Sequence, residues 1–250
     1  MSKGTRNWLL ALSVLGSSGA GSQEGARGQE KEESAVRAVV LEKPAGTRET
    51  YFRLDRSGAR EAEPIGLVRW LSGPAPEIEG GWTVENEILF FAGGTRLYHS
   101  EHLAPTNRRL VWREVRPHSG RTVRLEWPGD GPPVSFESTG GTVLRKELAP
   151  GTQPLFPLAL VEFLRSSGAS GRYSVYQPLG NDFEELEASV LDHGSEREVE
   201  LRRTNGDLAG RYRFQDGNWV EFQWQEGGTV ARPVDRAEYD RLRTRAGASD

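Results

Sequence analysis

Glu196–Pro233 reads EREVELRRTNGDLAGRYRFQDGNWVEFQWQEGGTVARP, and its period decides the fold. Val199 and Leu201 alternate with Glu198, Glu200 and Arg202. Tyr212 and Phe214 alternate with Arg211 and Arg213, and Val220, Phe222 and Trp224 alternate with Glu221, Gln223 and Gln225. A strand turns successive side chains to opposite faces, so a period of two lines one side of a sheet with apolar groups and leaves the charges toward water. Asn205-Gly206 and Asp216-Gly217 separate the runs with residues that accept positive φ, as tight hairpins demand, and Gly227-Gly228 marks a further turn. The stretch predicts an antiparallel meander of about four strands.

The same signal extends upstream. Val123, Leu125 and Trp127 share one face of a strand with Arg124 and Glu126 on the other. Further strands are expected near Val36–Leu41, Tyr51–Leu54, Ile65–Leu71, Ile88–Phe91, Arg96–Ser100, Leu110–Val115 and Thr122–Trp127, with turns at Gly93-Gly94 and Gly140-Gly141. Two stretches break the alternation. Leu155–Leu164 (LFPLALVEFL) is apolar at all positions but Pro157 and Glu162, a composition that suits a buried helix with Pro157 in its first turn. Asp235–Arg243 also reads as a helix, with Asp235 as cap and Glu238 completing a capping-box pattern. Asn181–His193 fits both periods: Leu186, Ala188 and Val190 share a strand face, while Phe183, Leu186 and Val190 share a helix face. The hairpins that flank it favour a strand.

Together these elements predict a mainly β fold: a curved antiparallel sheet or half-barrel packed on a short apolar helix, with a C-terminal helix. In Leu155–Leu164 followed by the meander to Pro233, the chain resembles uncharacterised exported bacterial β-rich proteins. More distantly it resembles the periplasmic lipoprotein carriers, whose half-barrel sheets enclose helices. The resemblance is architectural and carries no diagnostic motif. It implies an apolar-ligand or envelope role and transfers no functional residue.

The N-terminus has the order of an export signal. Lys3 and Arg6 precede the apolar run Trp8–Leu15, and small residues follow to a cleavage position after Ala20. The run is shorter than the roughly 20 residues a membrane helix needs. Gly21–Ser34 has no large apolar residue and reads as a disordered leader. One domain is expected over residues 35–242, with a flexible tail from Arg243 to Asp250. The expected location is the periplasm or the extracellular space, with no membrane span once the signal is removed.

Composition bounds the chemistry. The chain has no cysteine, which removes disulfides, thiolate metal sites and lipidation of a cysteine after the signal. Its formal net charge is -4 with no basic block, which disfavours nucleic acid as a partner. No phosphate-cradling loop, dinucleotide fingerprint or nucleophile elbow occurs, and no cofactor is implied. His99-Ser-Glu-His102, with His118 beyond it, is the densest set of metal-ligand side chains, yet residues i and i+3 of a strand face opposite ways unless a turn intervenes. The carboxylate rows Glu184/Glu185/Glu187 and Glu196/Glu198/Glu200 have the residue type of a glycosidase pair and equally that of a solvated strand face. Trp112, Trp127, Trp219 and Trp224 fall on predicted strands, where rings either floor a ligand site or fill a core. If the helix packs imperfectly, the gap is lined by Phe156, Phe163, Trp127, Phe222 and Trp224, a surface suited to a lipid or another apolar ligand. Three function classes follow: a carrier of an apolar or amphipathic envelope ligand, an envelope protein-interaction module, and a hydrolase.

Overall fold

Hairpins with short polar turns join only antiparallel neighbours, and the chain uses that connection almost throughout. The computed structural model describes residues 46–57, 63–75, 79–103, 112–117, 121–126, 132–148, 157–166, 169–177, 182–224 and 228–247. A first meander comprises β1 (Arg48–Arg56), β2 (Gly66–Pro74), β3 (Trp82–Phe90), β4 (Thr95–Leu103), β5 (Trp112–Pro117), β6 (Thr122–Glu126), β7 (Val134–Thr139) and β8 (Thr142–Glu147). Helix α1 (Pro157–Ser166) follows. A second meander comprises β9 (Gly171–Gln177), β10 (Asp182–His193), β11 (Glu196–Arg203), β12 (Leu208–Gln215), β13 (Asn218–Trp224) and β14 (Thr229–Val234), and helix α2 (Arg236–Arg245) closes the chain.

The two meanders fuse into one 14-stranded sheet in the order β8-β7-β6-β5-β4-β3-β2-β1-β14-β13-β12-β11-β10-β9. Their seam is the antiparallel pair β1–β14, in which Phe52 faces Pro233 and Leu54 faces Ala231. Among the described residues the sheet is open, with β8 and β9 as its edges. Curvature follows from what α1 touches, since it packs against β3, β9 and β11. β3 and β11 are six interstrand spacings apart in the sheet order, about 29 Å if the sheet were flat. A ten-residue helix is only about 15 Å long. The sheet therefore bends around α1 and presents it a concave face.

Alternation sorts the strands between two cores. Phe52, Leu54, Val68, Trp70, Val84, Leu186, Ala188, Val199, Leu201, Tyr212, Phe214 and Phe222 belong to the concave core with Leu158, Leu160, Val161 and Leu164 of α1. The neighbours with opposite parity, Leu67 and Leu89, form a second cluster on the convex face with Tyr239 and Leu242 of α2. Leu160 and Leu164 are fully buried, because an apolar helix in the hollow of a sheet has sheet on several sides.

Several expectations need revision. β7, β8 and β9 escaped the sequence reading, and β3 begins at Trp82, well before Ile88. Asn181–His193 contributes a strand, β10, paired on both sides. α2 runs to Arg245, so the expected flexible tail begins inside a helix. Asp235 caps it as predicted, accepting the Glu238 N–H at 2.7 Å. Strict alternation also fails in β13. The β12–β13 register shifts between Arg213 and Phe214, so that Arg213 faces Glu221 while Phe214 faces Trp219. This irregularity re-aims Trp219 into the concave core and leaves Val220 only half-buried. The predicted strand Val36–Leu41 lies outside the described residues.

Candidate functional site

The concave face carries a continuous aromatic floor with Trp219 at its centre. Its ring lies 4.7 Å from Phe214, 5.0 Å from Trp70, 5.5 Å from Phe52, 5.6 Å from Phe222 and 6.2 Å from Tyr212, in tilted or edge-on arrangements. Such geometries bring the positive edge of one ring to the negative face of another. Trp224 extends the floor, with its ring 4.8 Å from Phe222, and stays only partly buried. Burial pushes the Tyr212 phenol well above its ordinary range, so this ring is a neutral member of the set.

Above the floor, α1 is tied down by polar side chains at both ends and in the middle. A helix leaves its first N–H groups and last C=O groups without internal partners, and burial makes that costly. Glu101 of β4, fully buried, accepts the Leu158 N–H at 2.9 Å and the Ala159 N–H at 2.7 Å. Its carboxylate also opposes the positive end of the helix dipole. At the other end Arg197 of β11 donates to the carbonyls of Leu164 at 3.2 Å and Arg165 at 3.0 Å. Asp192 orients that guanidinium with hydrogen bonds of 2.6 and 3.0 Å, and the same bonds hold the Asp192 carboxyl below its ordinary range. Midway, Glu162 accepts Trp70 Nε1–H at 2.8 Å on one oxygen and the Arg165 guanidinium at 2.6 and 3.0 Å on the other. Arg165 reaches on to the Gly217 carbonyl at 2.9 Å, tying the helix to the β12–β13 turn.

Of the five side chains predicted to line an apolar gap, Phe222 and Trp224 come together on the aromatic floor. Phe163 of α1 packs instead against Tyr173 of β9, with 6.3 Å between centroids. Trp127 and Phe156 lie outside the described residues, as does His118. Among the described residues, two shallow depressions stand out. One of about 270 Å³ is lined by Arg197, Glu198, Arg211, Arg213 and Glu221, and one of about 230 Å³ by Leu89, Phe90, Phe91 and Arg96. No residue of α1 lines either one.

His99 and His102 do not converge. β4 pairs with β3 in unbroken register, so His99 faces Asn86, His102 faces Thr83, and the two imidazoles take opposite faces of the sheet. The turn that could have brought them together is not there. His99 Nε2 lies 2.9 Å from Glu101 Oε1, which places this histidine beside the helix clamp. No group of three or more metal-ligand side chains occurs among the described residues.

Arginines hold one carboxylate of each row, on opposite faces of the sheet: Glu184 shares the concave parity of Leu186 and Ala188, whereas Glu200, between Val199 and Leu201, faces the convex side. Glu184 pairs with Arg203 at 2.6 Å, and Glu200 receives Arg202 at 2.9 Å and the guanidinium of Arg211. Burial acts to raise the Glu200 carboxyl, but the hydrogen bonds and charges of Arg211 and Arg202 outweigh it and hold it below its ordinary value. A carboxylate so held stays ionised and is poorly suited to deliver a proton. The residues that organise this site, Glu101, Glu162 and Arg197, were absent from the sequence reading as such. The one available signal was position: Glu162 interrupts an apolar helix, and such a charge must find partners.

The sequence matches no protein-family model, and no curated protein matches it at a significant level.

Proposed function

We propose that this protein is an exported binder of an apolar or amphipathic molecule, with the concave aromatic floor as its binding surface and α1 as the segment that fills it in the ligand-free state. The observation that supports the reading is an apolar helix lying over a floor of large rings and tied to the sheet by side-chain hydrogen bonds at its two ends. Neither depression among the described residues reaches α1, so in this reading a ligand enters by displacing the helix. An acyl chain that replaces it recovers about 0.8 kcal/mol for each CH₂ buried. Polar clamps set how readily the helix leaves, and apparent affinity scales with the fraction of molecules in the open state. Support for export is the basic, apolar and small-residue order from Lys3 to Ala20, and N-terminal sequencing of the exported protein tests it.

Titration with a fluorescent fatty acid tests the binding reading. Saturable binding is expected in the wild type. Arg197→Ala, which frees the C-terminal end of α1, should bind more tightly, and Trp224→Ala more weakly. Absence of binding in both the wild type and a folded Arg197→Ala variant would refute it. An envelope protein-interaction module is the second reading, and the edge strand β8, exposed along its whole length, is what favours it.

A further inference from the structure

We propose that His99 makes the hold of the sheet on α1 pH-sensitive, so that protonation of its imidazole releases the N-terminal end of the helix. His99 Nε2 and the Leu158 nitrogen both lie 2.9 Å from one oxygen, Glu101 Oε1. A single oxygen atom therefore stands between the ring and the helix. The other carboxylate oxygen, Oε2, accepts the Ala159 N–H at 2.7 Å. Glu101 is fully buried, whereas the His99 side chain is 19% exposed and can take up a proton from solvent while the domain stays folded.

His99 and Glu101 are two residues apart on one face of β4, so their contact needs only the strand. With or without α1, the carboxylate favours a charged ring. What α1 adds works the other way. It brings the positive end of its dipole up to the shared oxygen, where a second positive charge is unfavourable. Its N–H groups draw on the carboxylate lone pairs that would otherwise serve the imidazolium. It also covers the site and withholds water from the ring. All three effects make His99 bind its proton more weakly under the docked helix than under a released one. By linkage, release then takes up a proton. Docking is therefore strongest above the histidine range, ordinarily near 6.5, and weakens as pH falls through it.

The neighbouring elements bring no competing group that titrates near neutrality. Across β3, His99 faces the buried, uncharged Asn86, which in turn faces Trp70 of β2. Across β5 it faces Val115, while Arg113 stands opposite Glu101 in the register. α1 carries Glu162, which accepts from Trp70 and Arg165 one turn beyond the N–H groups held by Glu101. The arginines keep their charge throughout this range. By register, Glu85 and Glu87 of β3, Arg96, Tyr98 and His102 of β4, and the β5 positions Glu114 and Arg116 belong to the opposite face. Among the described residues packed here, His99 is the side chain whose ordinary titration falls between pH 5 and 8.

Amide hydrogen exchange of the full chain, read as protection relative to the intrinsic rate at each pH, tests this. Protection of the Leu158 and Ala159 N–H groups should fall about five- to tenfold between about pH 8 and pH 5.5, as expected when the proton affinity of His99 differs by about one pH unit between docked and released helix. The N–H groups of Phe52 and Leu54 in β1 should keep theirs. His99→Gln, which keeps a donor and cannot charge, should abolish the fall. In the wild type the midpoint of the fall should match that of the His99 ring titration followed by NMR, a comparison that needs no variant. Unchanged protection, a gain in acid, a fall that persists in His99→Gln, or midpoints that disagree would overturn the proposal. The consequence for ligand rests on the carrier reading: a fluorescent alkyl probe without an ionisable group should bind about five- to tenfold more tightly at the lower pH. Probe binding absent at both pH values, beside a fall in protection that His99→Gln abolishes, would refute the carrier reading and support the pH-sensitive hold. Probe binding with flat protection would do the reverse.

Discussion

Replacing Glu101 with alanine tests the reading that the sheet clamps α1 by its N-terminus. The side chain is fully buried and accepts the N–H groups of Leu158 and Ala159. Its removal leaves two buried donors without that acceptor, each costing about 1–3 kcal/mol, and deletes a charge that opposes the helix dipole. The expected loss is about 3–5 kcal/mol, or a melting temperature lower by roughly 6–20 °C in a domain of this size. Glu101→Gln keeps the shape and one acceptor oxygen but lacks the charge, so its loss should be about half as large. Urea unfolding followed by tryptophan fluorescence measures the loss, and amide exchange localises it, because the N–H groups of Leu158 and Ala159 should lose protection first. A loss below about 1 kcal/mol with unchanged exchange in α1 would refute the clamp, since an interaction of this kind cannot be both formed and inconsequential.

Three further outcomes follow from the same packing. Leu160→Asp places a carboxylate at a fully buried position of α1 and should destabilise the fold by several kcal/mol; an unchanged thermal melt would mean that this helix face meets solvent. Gly66→Ala would drive a Cβ into the Leu89 carbonyl oxygen, so a loss of about 1–3 kcal/mol is expected, whereas Gly46→Ala meets nothing within 4 Å and should be neutral in the same denaturation assay. Glu200 sits below its ordinary value of 4.5 because Arg211 and Arg202 prevail over burial. Its contribution to stability is therefore complete above that value and is lost as pH falls through the depressed one, so Glu200→Gln should flatten the stability profile in the acid range.

The meander Glu196–Pro233 was legible because strand formation is local: period two and the turn residues Asn205-Gly206 and Asp216-Gly217 suffice to place β11, β12, β13 and β14. α2 was legible for the same reason, since its cap lies three residues from its partner. β7 and β8 were not, because Val134–Glu147 carries polar residues on both faces and shows no buried period. The bulge at Val220 also left no local trace. It exists because Trp219, rather than Val220, completes the ring cluster with Phe52 and Trp70, and those residues come from the far side of the β1–β14 seam.

Alternation and turn chemistry act between residues a few positions apart, and they suffice to make the chain an antiparallel β protein with one apolar helix. The same local reading puts Glu101 in a row of metal-ligand types and Glu162 in an apolar run without saying what either does; their roles come from contacts made in the folded chain. Glu101 meets Leu158, 57 positions away in sequence, and Glu162 meets Trp70, 92 positions away. No local pattern encodes such encounters. They arise when a curved sheet closes around a helix whose buried ends, by the same electrostatics that make unpaired donors costly, must find a carboxylate at one terminus and a guanidinium at the other.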